Sequence, residues 1–209
     1  PYSILALGAD FNWSYLMTAT SLLAILGGAI VLLGVPDGPY LRESPTFDMK
    51  AAFRIFKHAK FRYQAFGYFG HMWELYTFWS LVSVYLSSSL AKKSSPLNDF
   101  IPLISFLAIG IGVLGCIGGG WISKRVGERA VALVSLIASG IFCALSGFLF
   151  TLPPLLLVVI IIVWGIFVIS DSPQFSALAA QYCPPEYTGT ALTIQNGIGF
   201  GITVVSIQF

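Results

Sequence analysis

Charged residues are the scarcest class in this chain. Lys, Arg, Asp and Glu together make up 10% of the 209 residues, whereas charged residues make up about a quarter of a typical soluble domain. The hydrophobic fraction is 56% and the mean hydropathy is +0.84. The few charges are confined to short intervals between long apolar runs. This composition excludes an ordinary soluble domain and predicts a polytopic membrane protein.

Residues for metal, redox or nucleic-acid chemistry are also scarce. The net charge of +2 is too small to indicate a nucleic-acid partner. Cys116, Cys143 and Cys183 are odd in number and lack metal-type spacing, so we interpret them as small buried hydrophobic residues. An enzyme at membrane depth would need a constellation such as paired His and carboxylates, and the chain has only His58 and His71. We therefore expect no metal, no cofactor and no enzymatic activity.

The apolar runs predict about six membrane-spanning helices, because about 20 apolar residues cross the hydrocarbon core of a bilayer. The predicted spans are 15–34, 63–86, 101–122, 130–150, 155–182 and 188–209. Residues 1–9 are predicted to be the last turns of a further helix, and the chain is expected to be a piece of a longer protein. Pro173 is expected to kink the fifth span, since proline cannot donate a helical hydrogen bond.

The longest polar stretch, 35–62, divides into an irregular part and a helical part. Its prolines precede Thr46, after which the pattern becomes helical. The apolar face would hold Met49, Phe53 and Phe56, and the basic face Lys50, Arg54 and Lys57. The pattern favours a basic amphipathic helix in the lipid headgroup layer. A helix packed on its own protein is the alternative.

A second group of cations fixes the predicted topology. It occupies the short turn that holds Gly120, Lys124, Arg125, Gly127, Glu128 and Arg129. If this turn and the stretch 35–62 lie on one side of the membrane, that side holds nine Lys and Arg, and the other side holds only Lys92 and Lys93. Cytoplasmic loops carry the excess of Lys and Arg, so the basic turn is predicted to be cytoplasmic.

The same turn resembles the loop signature of the major facilitator superfamily, Gly-x-x-x-Asp-Arg-x-Gly-Arg-Arg. Pro185-x-x-x-Gly189 is similar to the family's Pro-x-x-x-Arg-Gly turn, which enters helix eleven. The resemblance implies an all-α, polytopic membrane helix bundle of the major facilitator type, with about six spanning helices and a helix stub. It implies that 1–34 ends the N-terminal bundle (helices five and six), that 35–62 is the cytoplasmic linker, and that 63–209 forms helices seven to eleven of the C-terminal bundle. The partner of this chain would be the missing N-terminal half.

Three positions depart from the family pattern. Lys124 stands where the family has Asp, Glu128 where it has Arg, and Thr188 where it has the Arg before glycine. In the family, that Asp holds the cytoplasmic gate through charge contacts. Glu128 could supply the negative charge from a shifted position, or this copy of the turn could be purely structural. We favour the structural interpretation.

The span 63–86, which corresponds to helix seven, carries the strongest functional candidates. Glu74 lies near its middle, where an ionised carboxylate costs about 2.5–3.5 kcal/mol on insertion scales. His71 lies one turn earlier on the same face, which Gly67, Phe78 and Tyr85 extend. A carboxylate and an imidazole so placed could carry a coupling proton. The alternative is structural, with a protonated Glu74 bonded to a neighbouring helix.

Four further polar or aromatic residues are candidates with a structural alternative for each. Tyr76 and Phe78 line a solute cavity or pack between helices. Asp171, next to Pro173, is a buried polar group at a helix break or a charge at the cytoplasmic mouth. Asn196, like its neighbour Gln195, faces the cavity or bonds across helices.

Closely spaced glycines mark two spans. They are Gly112, Gly115 and Gly119 in one, and Gly197 and Gly201 in the other. Residues without side chains let helix backbones approach closely, so we expect these positions to pack against neighbouring helices.

The resemblance implies a secondary active transporter that moves a small organic solute by alternating access, with proton coupling as a hypothesis. An uncoupled facilitator or channel is the alternative. No span has Lys or Arg at its centre, which disfavours an inorganic anion, whereas Glu74 and the aromatics suit a neutral or cationic solute. We expect a multi-pass protein in the lipid bilayer of the plasma membrane, with no nucleic-acid partner.

Overall fold

The computed structural model describes residues 13–36 and 49–208, and within these ranges the chain is almost entirely helical, without β-strands. The α-helices are α1 (Trp13–Gly34), α2 (Met49–Lys57), α3 (Ala59–Lys92), α4 (Ile101–Gly110), α5 (Gly112–Val126), α6 (Glu128–Ala144), α7 (Ser146–Leu149), α8 (Pro154–Ser170), α9 (Ser172–Tyr182) and α10 (Thr188–Gln208). Short 3₁₀ helices precede α4 and α10. The all-α prediction is confirmed. The predicted stub 1–9 and the irregular start of the linker lie outside the described residues.

Four described helical stretches are long and apolar enough to cross a membrane. They are Met17–Gly34, Pro96–Val126, Pro154–Tyr182 and Pro185–Gln208. The other two predicted spans fall on α3 and on α6 with α7. α3 is less apolar because it carries Gln64, His71 and Glu74, and the first two of these are buried against other helices. The chain is thus an integral, multi-pass membrane protein.

The longest described helix is α3, which packs against α4, α8, α9 and α10. At 34 residues it is about 50 Å long, well over the hydrocarbon thickness. It begins four residues before the predicted span 63–86 and continues six residues beyond its predicted end, through residues 87–92. The serines there are compatible with a helix because their hydroxyls find carbonyl acceptors: Ser87 Oγ donates to Val84 O, and Ser89 Oγ to Phe150 O.

The predicted kink at Pro173 is confirmed. α8 ends at Ser170 and α9 begins at Ser172, with Asp171 between them. Because Pro173 has no N–H, it cannot donate to the carbonyl of Ile169, four residues earlier. The thiol of Cys116 on α5 instead lies 3.6 Å from that carbonyl oxygen.

The seam between α5 and α8 depends on glycine. A Cβ added to Gly112 would overlap the side chain of Ile169, and one added to Gly115 would lie 2.5 Å from Ile166 O. A Cβ on Gly119 would lie 3.2 Å from the carbonyl oxygen of Ser170. The packing prediction is confirmed for these three glycines.

Gly197 and Gly201 have no packing neighbour among the described residues. No atom in the described ranges lies within 4 Å of a Cβ built at either position. The packed glycine of α10 is Gly199, whose Cβ would lie 2.7 Å from the ring of Tyr68.

The amphipathic helix α2 packs on its own protein through one residue of its predicted apolar face, Phe56, and through Ile55, which was not assigned to that face. Ile55 is buried among residues of α3, α9 and α10, and Phe56 packs beside it. Phe53, by contrast, is 75% exposed. The side chains of Met49 and Lys50 lie outside the described part of the chain. α2 therefore packs on its own protein through Ile55 and Phe56, as the alternative interpretation predicts. Phe53 does not take part in this packing.

The cysteines differ in environment. Cys183 is buried and Cys116 is half-buried, whereas Cys143 is exposed. The expectation that Cys143 is buried is wrong, because this residue lines an open cavity between α3, α6 and α8.

Candidate functional site

One face of α3 carries the polar residues of the bundle interior. Gly67 lies against the ring of Phe175 on α9, and the hydroxyl of Tyr85 donates to the carbonyl oxygen of Ser146 at 2.5 Å. His71 and Glu74 lie between these two positions, one turn apart. The predicted shared face is therefore turned toward α6, α7, α8 and α9.

His71 pairs with Asp171 in the interior of the bundle. Nδ1 of His71 lies 2.9 Å from Oδ1 of Asp171, and each side chain is only 1% exposed. The rings of Tyr68 and Phe175 flank the imidazole, with centroids 6.0 and 5.7 Å away. Asp171 is thus a buried polar group at the helix break, which is the first of the two positions considered for it.

The pair retains unused hydrogen-bonding capacity. Within the described ranges, neither carboxylate oxygen of Asp171 has a well-aligned hydrogen-bond partner, and Nε2 of His71 has none. The 2.9 Å contact is therefore a close electrostatic approach with imperfect alignment.

Glu74 has a different set of partners. Its Oε2 accepts a hydrogen bond of 2.8 Å from Ser139 Oγ on α6, and its Oε1 accepts one of 3.4 Å from Trp164 Nε1 on α8. The side chain is half-buried. Glu74 and His71 therefore share a helix face but bind to different neighbours.

Glu74 lines a cavity of about 470 Å³ between α3, α6 and α8. Its walls are mainly apolar, and the aromatic residues among them are Trp73, Phe78, Tyr85 and Trp164. Glu74 is the only carboxylate among the lining residues described. Phe78 belongs to the wall, with its ring centroid 5.0 Å from that of Trp164. An apolar cavity with one polar anchor is typical of a site for a small organic molecule.

Two predicted site residues lie away from this cavity. Tyr76 packs against Trp79 and Phe200, with ring centroids 5.4 and 5.8 Å apart. Asn196 is exposed, and its Oδ1 accepts a hydrogen bond of 2.9 Å from the hydroxyl of Tyr68. Tyr76 therefore packs between α3 and α10, and Asn196 bonds across helices from an exposed position.

Sequence reasoning did not identify the serines that complete the polar interior. Ser139 binds Glu74, and Ser135, one turn earlier on α6, accepts a hydrogen bond of 2.9 Å from Ser170. Their spacing of four residues in an apolar span places both on one helix face, and this could have identified them. Trp164 offered no comparable signal.

The basic turn is shaped by Gly127, which has φ 86° and ψ 152°, a conformation that only glycine adopts readily. Lys124, Arg125 and Arg129 are exposed, and the guanidinium of Arg125 lies 4.8 Å from the ring centroid of Trp121. Glu128 forms no ion pair within the part of the chain that the structure describes. A Cβ at Gly120 would meet nothing within 4 Å. Arg125 therefore packs on its own helix, α5.

The described residues contain no cluster of three His, Cys, Asp or Glu that could hold a metal ion. A family model for the Major Facilitator Superfamily matches residues 1–206, nearly the whole chain. No curated protein and no solved structure is significantly similar.

Proposed function

The chain belongs to the major facilitator superfamily, a family of membrane transporters that are generally not enzymes, and we propose that it moves a small organic solute by secondary active transport with alternating access. The proposed environment is the plasma membrane, with the basic turn on the cytoplasmic side. The proposed arrangement keeps 1–34 in an N-terminal bundle, 35–62 as the linker and 63–209 in the C-terminal bundle. Solute would bind at the membrane midplane, and movement of the bundles would expose it to each side in turn.

The observation that carries the proposal is the single carboxylate in an aromatic cavity. Glu74 is held by Ser139 and Trp164, so its position is fixed before a solute arrives. The cavity volume lies in the ordinary range for ligand sites, about 300–1,000 Å³. Aromatic faces and a carboxylate together favour an organic solute, neutral or carrying a positive charge.

The proton-coupling proposal involves Glu74 and His71, to which the geometry adds Asp171. Charges buried at membrane depth are costly, and such residues mark proton or substrate pathways in membrane proteins. His71 and Asp171 form one ionisable pair, and Glu74 is a separate ionisable group. His71 and Glu74 lie on successive turns of the same face of α3. Proton uptake at these groups changes the charge that must move with the bundle, which links solute movement to a pH gradient.

The test is uptake by proteoliposomes that contain the purified protein, screened across neutral, cationic and anionic organic solutes. We expect at least one neutral or cationic solute to accumulate above its external concentration when the interior is alkaline or acidic relative to the bath. Liposomes without protein, and liposomes with the gradient collapsed by a protonophore, are the controls. Equilibration without accumulation would indicate a facilitator or channel and would contradict coupling. No protein-dependent flux of any solute would contradict the proposal as a whole.

A further inference from the structure

A second cavity, separate from the Glu74 site, lies at the end of the bundle that carries the basic turn. It is a groove of about 370 Å³ between the start of α3, the start of α6 and the end of α9. We infer that this groove binds the headgroup and upper acyl chain of an anionic phospholipid. The inference requires that the chain lies in a bilayer and does not depend on solute transport or proton coupling.

Each of the three helices contributes a row of residues to the groove, and a polar residue stands at the same end of each row. α3 contributes residues at 60, 63, 64 and 67, and α6 contributes residues at 129, 132, 133 and 136. Both sets have the helical spacing i, i+3, i+4, i+7, which keeps them on one face. α9 runs back alongside them, from Phe175 to Tyr182. The groove therefore follows the helix axes, as a lipid chain in a bilayer would.

The polarity along the groove matches that of a phospholipid. Lys60 and Arg129 stand at its outer end, and Leu133, Leu136 and Phe175 line its inner part. Arg129 and Leu136 are separated by about 10 Å along α6. This length accommodates a phosphate at the cations and the first part of an acyl chain against the leucines.

The cations are available to an anion. No carboxylate lines the groove among the described residues, and neither Lys60 nor Arg129 forms an ion pair there. Lys60 Nζ instead lies 6.0 Å from the ring centroid of Tyr182. The nearest acidic neighbour in sequence is Glu128, which precedes Arg129 and does not line the groove.

The test is native mass spectrometry of the purified protein released from nanodiscs of mixed phosphatidylcholine and phosphatidylglycerol. We expect one phosphatidylglycerol to be retained per chain. The Lys60→Gln/Arg129→Gln variant should lose this adduct, with affinity lower by about thirtyfold, since each cation at an anionic surface contributes about fivefold. The matched control is Lys124→Gln/Arg125→Gln, which removes the same charge from the adjacent turn outside the groove and should keep the adduct.

A second variant tests the apolar part without a charge change. Leu133 is 53% exposed, so Leu133→Trp should fold and should fill the seat of the acyl chain. Retention of the lipid by Leu133→Trp, or equal losses in the two double variants, would overturn the inference. So would equal retention of phosphatidylcholine, or full competition by inorganic phosphate, which would indicate a site for the phosphate alone. The absence of any retained lipid would also overturn the inference, since it would indicate that another part of the protein covers the groove.

Discussion

Nδ1 of His71 on α3 lies 2.9 Å from Oδ1 of Asp171 at the break between α8 and α9, and both side chains are almost completely buried. Pro173 makes this contact possible because it ends α8 and leaves Asp171 between two helices. Desolvation of two ionisable groups is costly, and each group depends on the other to offset part of that cost. The pair therefore joins the kinked helix to the central helix through an interaction that depends on the presence of both partners.

Substitution of either partner alone should destabilise the protein by more than half as much as substitution of both partners. Asp171→Asn or His71→Gln alone is expected to destabilise the protein by about 3–5 kcal/mol, because each leaves a buried polar group without its partner. The double variant should be less destabilised than the sum of the singles. Apparent unfolding temperatures in detergent micelles would measure this. Strict additivity would show that the two side chains act independently.

The seam between α5 and α8 offers a comparison between neighbouring glycines. Gly115→Ala should destabilise the protein by about 1–3 kcal/mol, since its Cβ would lie 2.5 Å from a backbone oxygen that cannot easily move. Gly118→Ala is the matched control: nothing lies within 4 Å of its Cβ, and the added methyl favours the helix by at most about 1 kcal/mol. Equal effects of the two substitutions on thermal stability would contradict the seam.

Much of the fold is predictable because a membrane imposes simple rules. The apolar runs predicted the helices, and Pro173 predicted the break, since both follow from local chemistry. The length of α3 was underestimated because serines and lysines look like a loop in sequence. Ser87 bonds within its own helix, whereas Ser89 and Lys93 bond to the distant turn before α8, and this contact is visible only in three dimensions.

Lys93, directly after α3, makes most of this contact with the turn before α8. Its Nζ donates to Ser89 Oγ, Phe150 O and Leu152 O at 2.6–2.8 Å, so it joins the end of α3 to the turn before α8. Lys93→Met is expected to lower stability by about 1.5–3 kcal/mol, the contribution of hydrogen bonds to a charged group. Lys92→Met, which removes a cation 5.0 Å from the Phe150 ring centroid, should cost about 1 kcal/mol or less. A larger effect at Lys92 on thermal unfolding would contradict this assignment.

Cys183, in the turn after α9, should react slowly with thiol reagents. Burial raises the pKa of its thiol, and the nearby carboxylate of Glu186 raises that pKa further. Since the thiolate is the reactive form, alkylation in a variant without Cys116 and Cys143 should be slow at neutral pH and faster as the pH rises.

Glu186→Gln should lower the Cys183 pKa and accelerate this alkylation at neutral pH by less than about tenfold. Alkylation of the protein unfolded in sodium dodecyl sulfate serves as the reference for a fully accessible thiol. An unchanged rate in Glu186→Gln would show that the carboxylate does not influence the thiol.

The site was less predictable than the fold. The position of Glu74 and its shared face with His71 follow from helical spacing, and both appear in the structure. The partners of these residues do not follow from spacing, because Ser139, Trp164 and Asp171 come from helices distant in sequence. Tyr76 could not be separated from Phe78 in advance, since the orientation of α3 relative to α10 decides which ring meets the cavity.

The most direct test of the account is solute uptake by proteoliposomes under an imposed pH gradient, with Glu74→Gln compared with the unsubstituted protein. Glutamine preserves the size of the side chain and its hydrogen bond from Ser139 but cannot exchange a proton. We expect Glu74→Gln to lose gradient-driven accumulation, by about tenfold or more, while solute exchange at equal pH continues. Accumulation that remains coupled to the gradient in Glu74→Gln would contradict a role for Glu74 in proton coupling.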